Sequence, residues 1–159
     1  MSGYVFYIPV LTGSTGFAAQ GLKQLGFSIA SKPDLSVTHL LLPVPSFDDI
    51  GRIRNGPDLR ALLDQLSPTV HIIGGKLGSC IPEGYRSTDL LEIPAFVAEN
   101  AYITAHCTLR LILDQLPAAL RDCPILIIGW GRIGKCLAKL LRQMGARVTV
   151  AARKESDKA

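Results

Sequence analysis

An unbroken apolar run, Pro124–Ile128, passes straight into Gly129-Trp-Gly-Arg-Ile-Gly134, and residues 135–144 then place Leu137, Leu140 and Leu141 on one side of a helix. Gly145 stops that helix, and Arg147–Ala151 is the next strand. Strand, G-x-G-x-x-G turn, helix and second strand in this order and spacing specify a right-handed βαβ unit suited to a dinucleotide. Each glycine has a task. Gly129 permits the tight turn, Gly131 keeps a Cβ away from a pyrophosphate, and Gly134 lets the helix lie close on the strand. The N–H groups at the helix start, helped by the helix dipole, then hold phosphates. The candidate cofactor-binding residues are therefore Gly129, Trp130, Gly131, Arg132, Ile133 and Gly134.

About twenty residues further on, an NAD-binding unit carries an acid for the ribose hydroxyls. Here Ala151 and Ala152 stand instead, followed by Arg153 and Lys154. With no carboxylate to repel a 2′-phosphate and two cations to pair with one, the expected cofactor is NADP (NADPH), and Arg153 and Lys154 join the cofactor-binding set.

Upstream, strand-length apolar runs alternate with helix-period segments. Residues 4–11 read as a buried strand, Thr12-Gly-Ser-Thr-Gly16 as the turn that ends it, and residues 17–25 as a helix presenting Phe17, Ala18, Leu22 and Leu25 on one face. An extended segment at 27–30, a strand at 37–44, a turn-rich loop at 45–57 near a site, a short helix at 58–66 and a strand at 69–73 continue the alternation. This order predicts a parallel sheet with right-handed crossovers, a flavodoxin- or Rossmann-like α/β domain. A helix over 104–116, capped by Thr104 and apolar at Leu109, Ile112, Leu113 and Leu116, bridges to the glycine unit. The predicted organisation is a substrate-side domain at 1–100, a bridging helix and linker at 101–123, and a truncated NADP-binding unit at 124–159. Two parallel strands and one helix cannot bury both faces of a sheet. The chain is thus expected to be a fragment of a protein of roughly twice its length, without turnover of its own, and its open sheet edge is a site for a homodimer.

The remaining residues narrow the function classes. An apolar share of 48% and a charged share of 19% describe a chain with ample core. A net charge of +4, scattered along the sequence, and 6% aromatics give no platform for nucleic acid. No segment reaches the ~18 apolar residues of a membrane span, and residues 1–13 lack a secretory pattern. Cys80, Cys107, Cys123 and Cys136 show no metal-site spacing and read as reduced core thiols of a cytoplasmic protein, with no metal expected. His39 and His71 read as structural histidines within strands, His106 as a candidate for the cleft between domains, and Asp48 and Asp49 as turn residues.

Taken together, four segments resemble the A subunit of dipicolinate synthase: His39-Leu-Leu-Leu-Pro-Val44, Asn100-Ala-Tyr-Ile-Thr104, Ile127-Ile-Gly-Trp-Gly-Arg-Ile-Gly134 and Met144-Gly-Ala-Arg-Val-Thr-Val-Ala-Ala-Arg153. The resemblance implies an NADP-linked oxidation that forms an aromatic pyridine dicarboxylate from a dihydro or hydroxytetrahydro precursor during sporulation. It also implies a small dicarboxylate substrate and a flavoprotein-like B subunit as partner, with Asn100 and Thr104 at the substrate cleft. The sequence departs from the family pattern at Thr12–Gly16, where the family has a Gly-Gly-Asp type of turn, and at Ala105-His106, where an acid follows the Thr104 equivalent. The alternatives are another two-domain NAD(P)-dependent dehydrogenase, of the 2-hydroxy-acid type, and a non-catalytic nucleotide-binding or assembly module.

Overall fold

The computed structural model describes residues 3–152, which fall into two compact units, the first ending at Ile93 and the second beginning at Pro94. In the first, β1 (Val5–Tyr7), α1 (Gly13–Gln24), β2 (Ser28–Ile29), β3 (His39–Leu41), α2 (Leu59–Leu63), β4 (His71–Gly74) and β5 (Ser87–Asp89) alternate along the chain. The sheet order is β2-β1-β3-β4-β5 and every pairing is parallel. That is the flavodoxin-like order 2-1-3-4-5, with its switch point between β1 and β3. The core beneath it is aliphatic: Val37, Leu40, Leu42, Ile53, Val70 and Ile72 are all at most 1% exposed. Shortening one such leucine to alanine typically costs about 2–5 kcal/mol.

Several local expectations are corrected. Residues 12–16 are not a turn ahead of a helix but its first turn. Thr12 is the N-cap, its hydroxyl accepting from the Thr15 N–H, while the Thr15 hydroxyl accepts from the Thr12 N–H at 2.7 Å and donates to the Val10 carbonyl at 2.6 Å. Thr15 thus takes the place usually held by Glu or Gln in a capping box, a substitution that apolar periodicity does not register. Phe17 and Leu25, expected on a buried helix face, are 76% and 75% exposed, because buried Thr15 sets which side of α1 turns inward. The 45–57 loop is part of the core: Ser46, Phe47 and Ile53 are buried, and Phe47 pairs with Ile53 in an antiparallel bridge. Asp48 is a turn residue, its carboxylate accepting from the N–H groups of Ile50 and Arg52. Strand β5 has no counterpart in the sequence reading. Its residues Ser-Thr-Asp carry no apolar pattern, and Asp89 at its end accepts from the N–H groups of Lys76, Leu77 and Leu91, closing the loop after β4.

The second unit comprises α3 (Pro94–Gln115), β6 (Pro124–Ile128), α4 (Arg132–Gln143) and β7 (Arg147–Ala151). The helix does not start at Thr104. Pro94 occupies the first helical position, where its missing N–H leaves nothing unsatisfied. Thr104 lies mid-helix, its hydroxyl donating to the Asn100 carbonyl one turn back at 2.7 Å. Strands β6 and β7 pair in parallel from Pro124↔Arg147 to Ile128↔Ala151. Ile125, Ile127, Val148 and Val150 turn toward a core with Ala105, Leu137, Ala138 and Leu141. Leu109, Ile112 and Leu116 pack on this core, whereas Leu113 is exposed. On the opposite sheet face Leu126 and Ile128 are 60% and 84% exposed, the outcome expected when strands alternate faces and helices cover one side. The cysteines are all free, but Cys80 and Cys107 are exposed rather than in a core. His106 is exposed on α3, its ring 4.3 Å from that of Tyr102 one turn earlier. Among the described residues no helix is long and apolar enough to cross a membrane.

Candidate functional site: the glycine loop of the second unit

The loop between β6 and α4 owes its path to three glycines, each for a different reason. Gly129 donates its N–H to the Ala151 carbonyl at 2.8 Å, the last rung between β6 and β7, and then turns with φ at +103°, a region that side chains disfavour. Gly131 is the extended N-cap of α4, and a Cβ built there would have no atom within 4 Å. Gly134 is the opposite case. A Cβ on it would stand 2.6 Å from the Gly129 carbonyl oxygen and 3.6 Å from the Ile127 side chain, so only glycine lets α4 begin this close to β6.

The consequence is a helix start whose first amides are open. The first helical bond runs from the Lys135 N–H to the Gly131 carbonyl at 2.9 Å, and no side chain caps the helix. The N–H groups of Arg132, Ile133 and Gly134 are therefore left without a protein acceptor among the described residues. A helix start ordinarily favours acids. This one has none in its first turn and carries Arg132 and Lys135 instead. Two cations at the positive end of a helix are unfavourable alone and become favourable once an anion sits on the amides. Lys135 is a candidate site residue that the motif alone does not single out; the signal is present all the same, since a basic residue in a first helical turn works against the dipole. Its ammonium lies 5.9 Å from the centre of the half-buried Trp130 ring.

A cavity of about 250 Å³ opens beside the loop, lined by Val97, Asn100 and Ala101 of α3 and by Gly131, Arg132 and Ile133. The structure thus brings Asn100 together with the glycine loop. Thr104 does not line this cavity, and its hydroxyl is engaged with the helix backbone. Arg153 and Lys154 lie outside the described residues.

A parallel 2-1-3-4-5 sheet followed by a glycine-turned βαβ unit defines a Rossmann-type α/β protein of the two-unit kind. Among solved structures, the chain is similar in fold to the A chain of dipicolinate synthase. The Bacillus subtilis protein superposes with a TM-score of 0.67 at 16% identity, covering 98% of this chain and 63% of that one. Its Bacillus halodurans counterpart superposes with a TM-score of 0.74 at 17% identity, covering 98% and 64%. The chain spans less than two thirds of the length of either. No protein-family model matches it, and no curated protein matches it.

Proposed function

We propose that the glycine loop holds the diphosphate of a nicotinamide dinucleotide and that the chain serves an NADP-linked oxidoreductase of the dipicolinate synthase type. The observation that carries this reading is the approach of Gly134 to Gly129, which sets the unpartnered amides of Arg132, Ile133 and Gly134 beneath a Gly131 with no side chain over them. The chain's residues fit such a group. Backbone amides bind the phosphates, Arg132 and Lys135 neutralise them, and Arg153 and Lys154 supply the charge that a 2′-phosphate needs. When bound, the nicotinamide supplies the hydride acceptor or donor, while the protein supplies orientation and electrostatics. In this reading the substrate is a small dicarboxylate, Asn100 stands at the edge of its cleft with Thr104 one turn away, and a flavoprotein-like B subunit is the partner in a cytoplasmic enzyme.

Trp130 is the only tryptophan and sits inside the loop, so its emission reports directly on occupancy. Titration of the chain with NADPH is expected to quench it saturably and to sensitise nicotinamide fluorescence, with weaker binding of NADH. Selective NADH binding would reverse the cofactor preference, and no response to either nucleotide would remove the redox reading in favour of an assembly module. The exposed Leu126 and Ile128 face is the observation that favours that second reading.

A further inference from the structure

Ligands of open parallel sheets gather at the C-terminal ends of the strands. The first unit has a cavity of about 450 Å³ at the opposite edge. His39 and His71 open β3 and β4 and are paired in register, Arg86 immediately precedes β5, and Tyr4 immediately precedes β1. Because all five strands are parallel, these residues meet at one N-terminal edge. Ser67 and Thr69, which lead into β4, complete the polar wall. The volume falls within the ~300–1,000 Å³ of small-molecule sites.

We propose that this edge is a second ligand site, which takes a small organic oxyanion, a carboxylate or phosphate group, between Arg86, His39 and His71. Among the described residues no carboxylate lines the cavity and Arg86 makes no ion pair. The two imidazoles lie 5.4 Å apart between ring centres. His39 is stacked on Phe6, with ring centres 4.8 Å apart, and has Tyr4 edge-on at 5.0 Å, so its ring plane is held. The Thr38 hydroxyl, which also accepts from the Val5 N–H at 2.8 Å, engages His39 Nδ1 at 2.8 Å. The Nε2 of His39 is left with no protein partner among the described residues. The Nε2 of His71 is bound to the Thr88 hydroxyl at 2.8 Å, which leaves its Nδ1 without one.

Uptake of an anion here is coupled to protons. Burial, then the Arg86 charge, holds His39 below the ordinary imidazole range; burial, Arg86 and His39 do the same to His71. The titratable and charged groups facing the pair are Tyr4 from the β1 side, Arg86 from the β5 side, and each other. Lys32 and Asp34 belong to the segment before β3, where the Asp34 carboxylate accepts from the N–H and hydroxyl of Ser36. An oxyanion favours the protonated imidazoles, so binding raises both histidine pKa values and strengthens as pH falls through their range.

The chain has three histidines, which keeps side-chain NMR tractable, and the exposed His106 of the second unit is an internal control. Sodium sulfate, which does not titrate near neutrality, and sodium succinate are added separately at constant ionic strength set with chloride. The expected result is a saturable shift of the His39 and His71 ring resonances with at least one of the anions, a raised apparent pKa for both, and no change at His106. Response to sulfate points to a phosphate-bearing ligand and response to succinate to a carboxylate. Arg86→Met, at an exposed position, is expected to weaken binding about tenfold or more, as for loss of a charge-assisted hydrogen bond, with an unchanged circular dichroism spectrum. Identical His39 and His71 titrations with and without both anions would overturn the site, as would an equal shift at His106 or an undiminished response in Arg86→Met. None of these outcomes depends on the nucleotide reading.

Discussion

Gly134→Ala separates the two roles that glycines play in the loop. Its new Cβ would meet the Gly129 carbonyl oxygen at 2.6 Å, whereas ordinary contact begins at 3.4 Å. The obstacle is a backbone atom at a position where Gly129 already turns at φ +103° and its N–H is tied to Ala151, so no rotamer change relieves it. The start of α4 must instead back away from β6 by about 0.8 Å, and overpacking of this kind costs about 1–3 kcal/mol. Gly131→Ala is the matched control. Its φ of −76° suits alanine and nothing stands within 4 Å, so it should cost under about 1 kcal/mol, the order of a weakened N-cap. Urea denaturation followed by the emission of Trp130, the single tryptophan, reads the second unit in both variants, and NADPH titration of the folded proteins reads the cradle. Gly134→Ala should lose stability and Gly131→Ala should lose chiefly NADPH affinity. A Gly134→Ala protein as stable as the parent, or a Gly131→Ala protein less stable than Gly134→Ala, would refute this division of labour.

Three further outcomes are expected. Burial raises the Asp89 carboxyl, but the Leu77, Leu91 and Lys76 N–H groups outweigh it and hold the group below its usual 3.8. Its contribution is therefore complete above that value and lost as pH falls through the lower folded one, so acid melts of Asp89→Asn should show a flatter pH dependence below about 4 than the parent. Thr15→Val removes the acceptor for the Thr12 N–H and the donor to Val10, and should cost about 0.5–2 kcal/mol in thermal melts followed by circular dichroism. Arg153→Ala should weaken NADPH by about 1–3 kcal/mol in calorimetry and leave NADH unchanged; equal loss for both nucleotides would count against a 2′-phosphate contact.

How much of the fold is legible in the sequence varies with how local the cause is. The βαβ unit is legible nearly whole, since Pro124–Ile128 and Arg147–Ala151 are strands with the bounds read from their apolar runs. The same holds for the task of Gly134, because close packing of helix on strand follows from the motif. The start of α1 is not, because a Thr12–Thr15 capping box is invisible to apolar periodicity. Nor is the start of α3, because Thr104 has the composition of a cap but sits within a helix that Pro94 begins. Strand β5 has no apolar signature and exists because β4 offers it an edge to pair with.

By itself, the sequence determined the class of fold and the glycine-turned start of α4, since both follow from short-range order: apolar period, glycine spacing and turn chemistry act within a few residues. Only the tertiary structure decided the strand order 2-1-3-4-5, the burial of the 45–57 loop, and the meeting of His39, His71 and Arg86 at one edge. These depend on which strands pair and in which register, and register brings together residues far apart in the chain, so no local pattern encodes it.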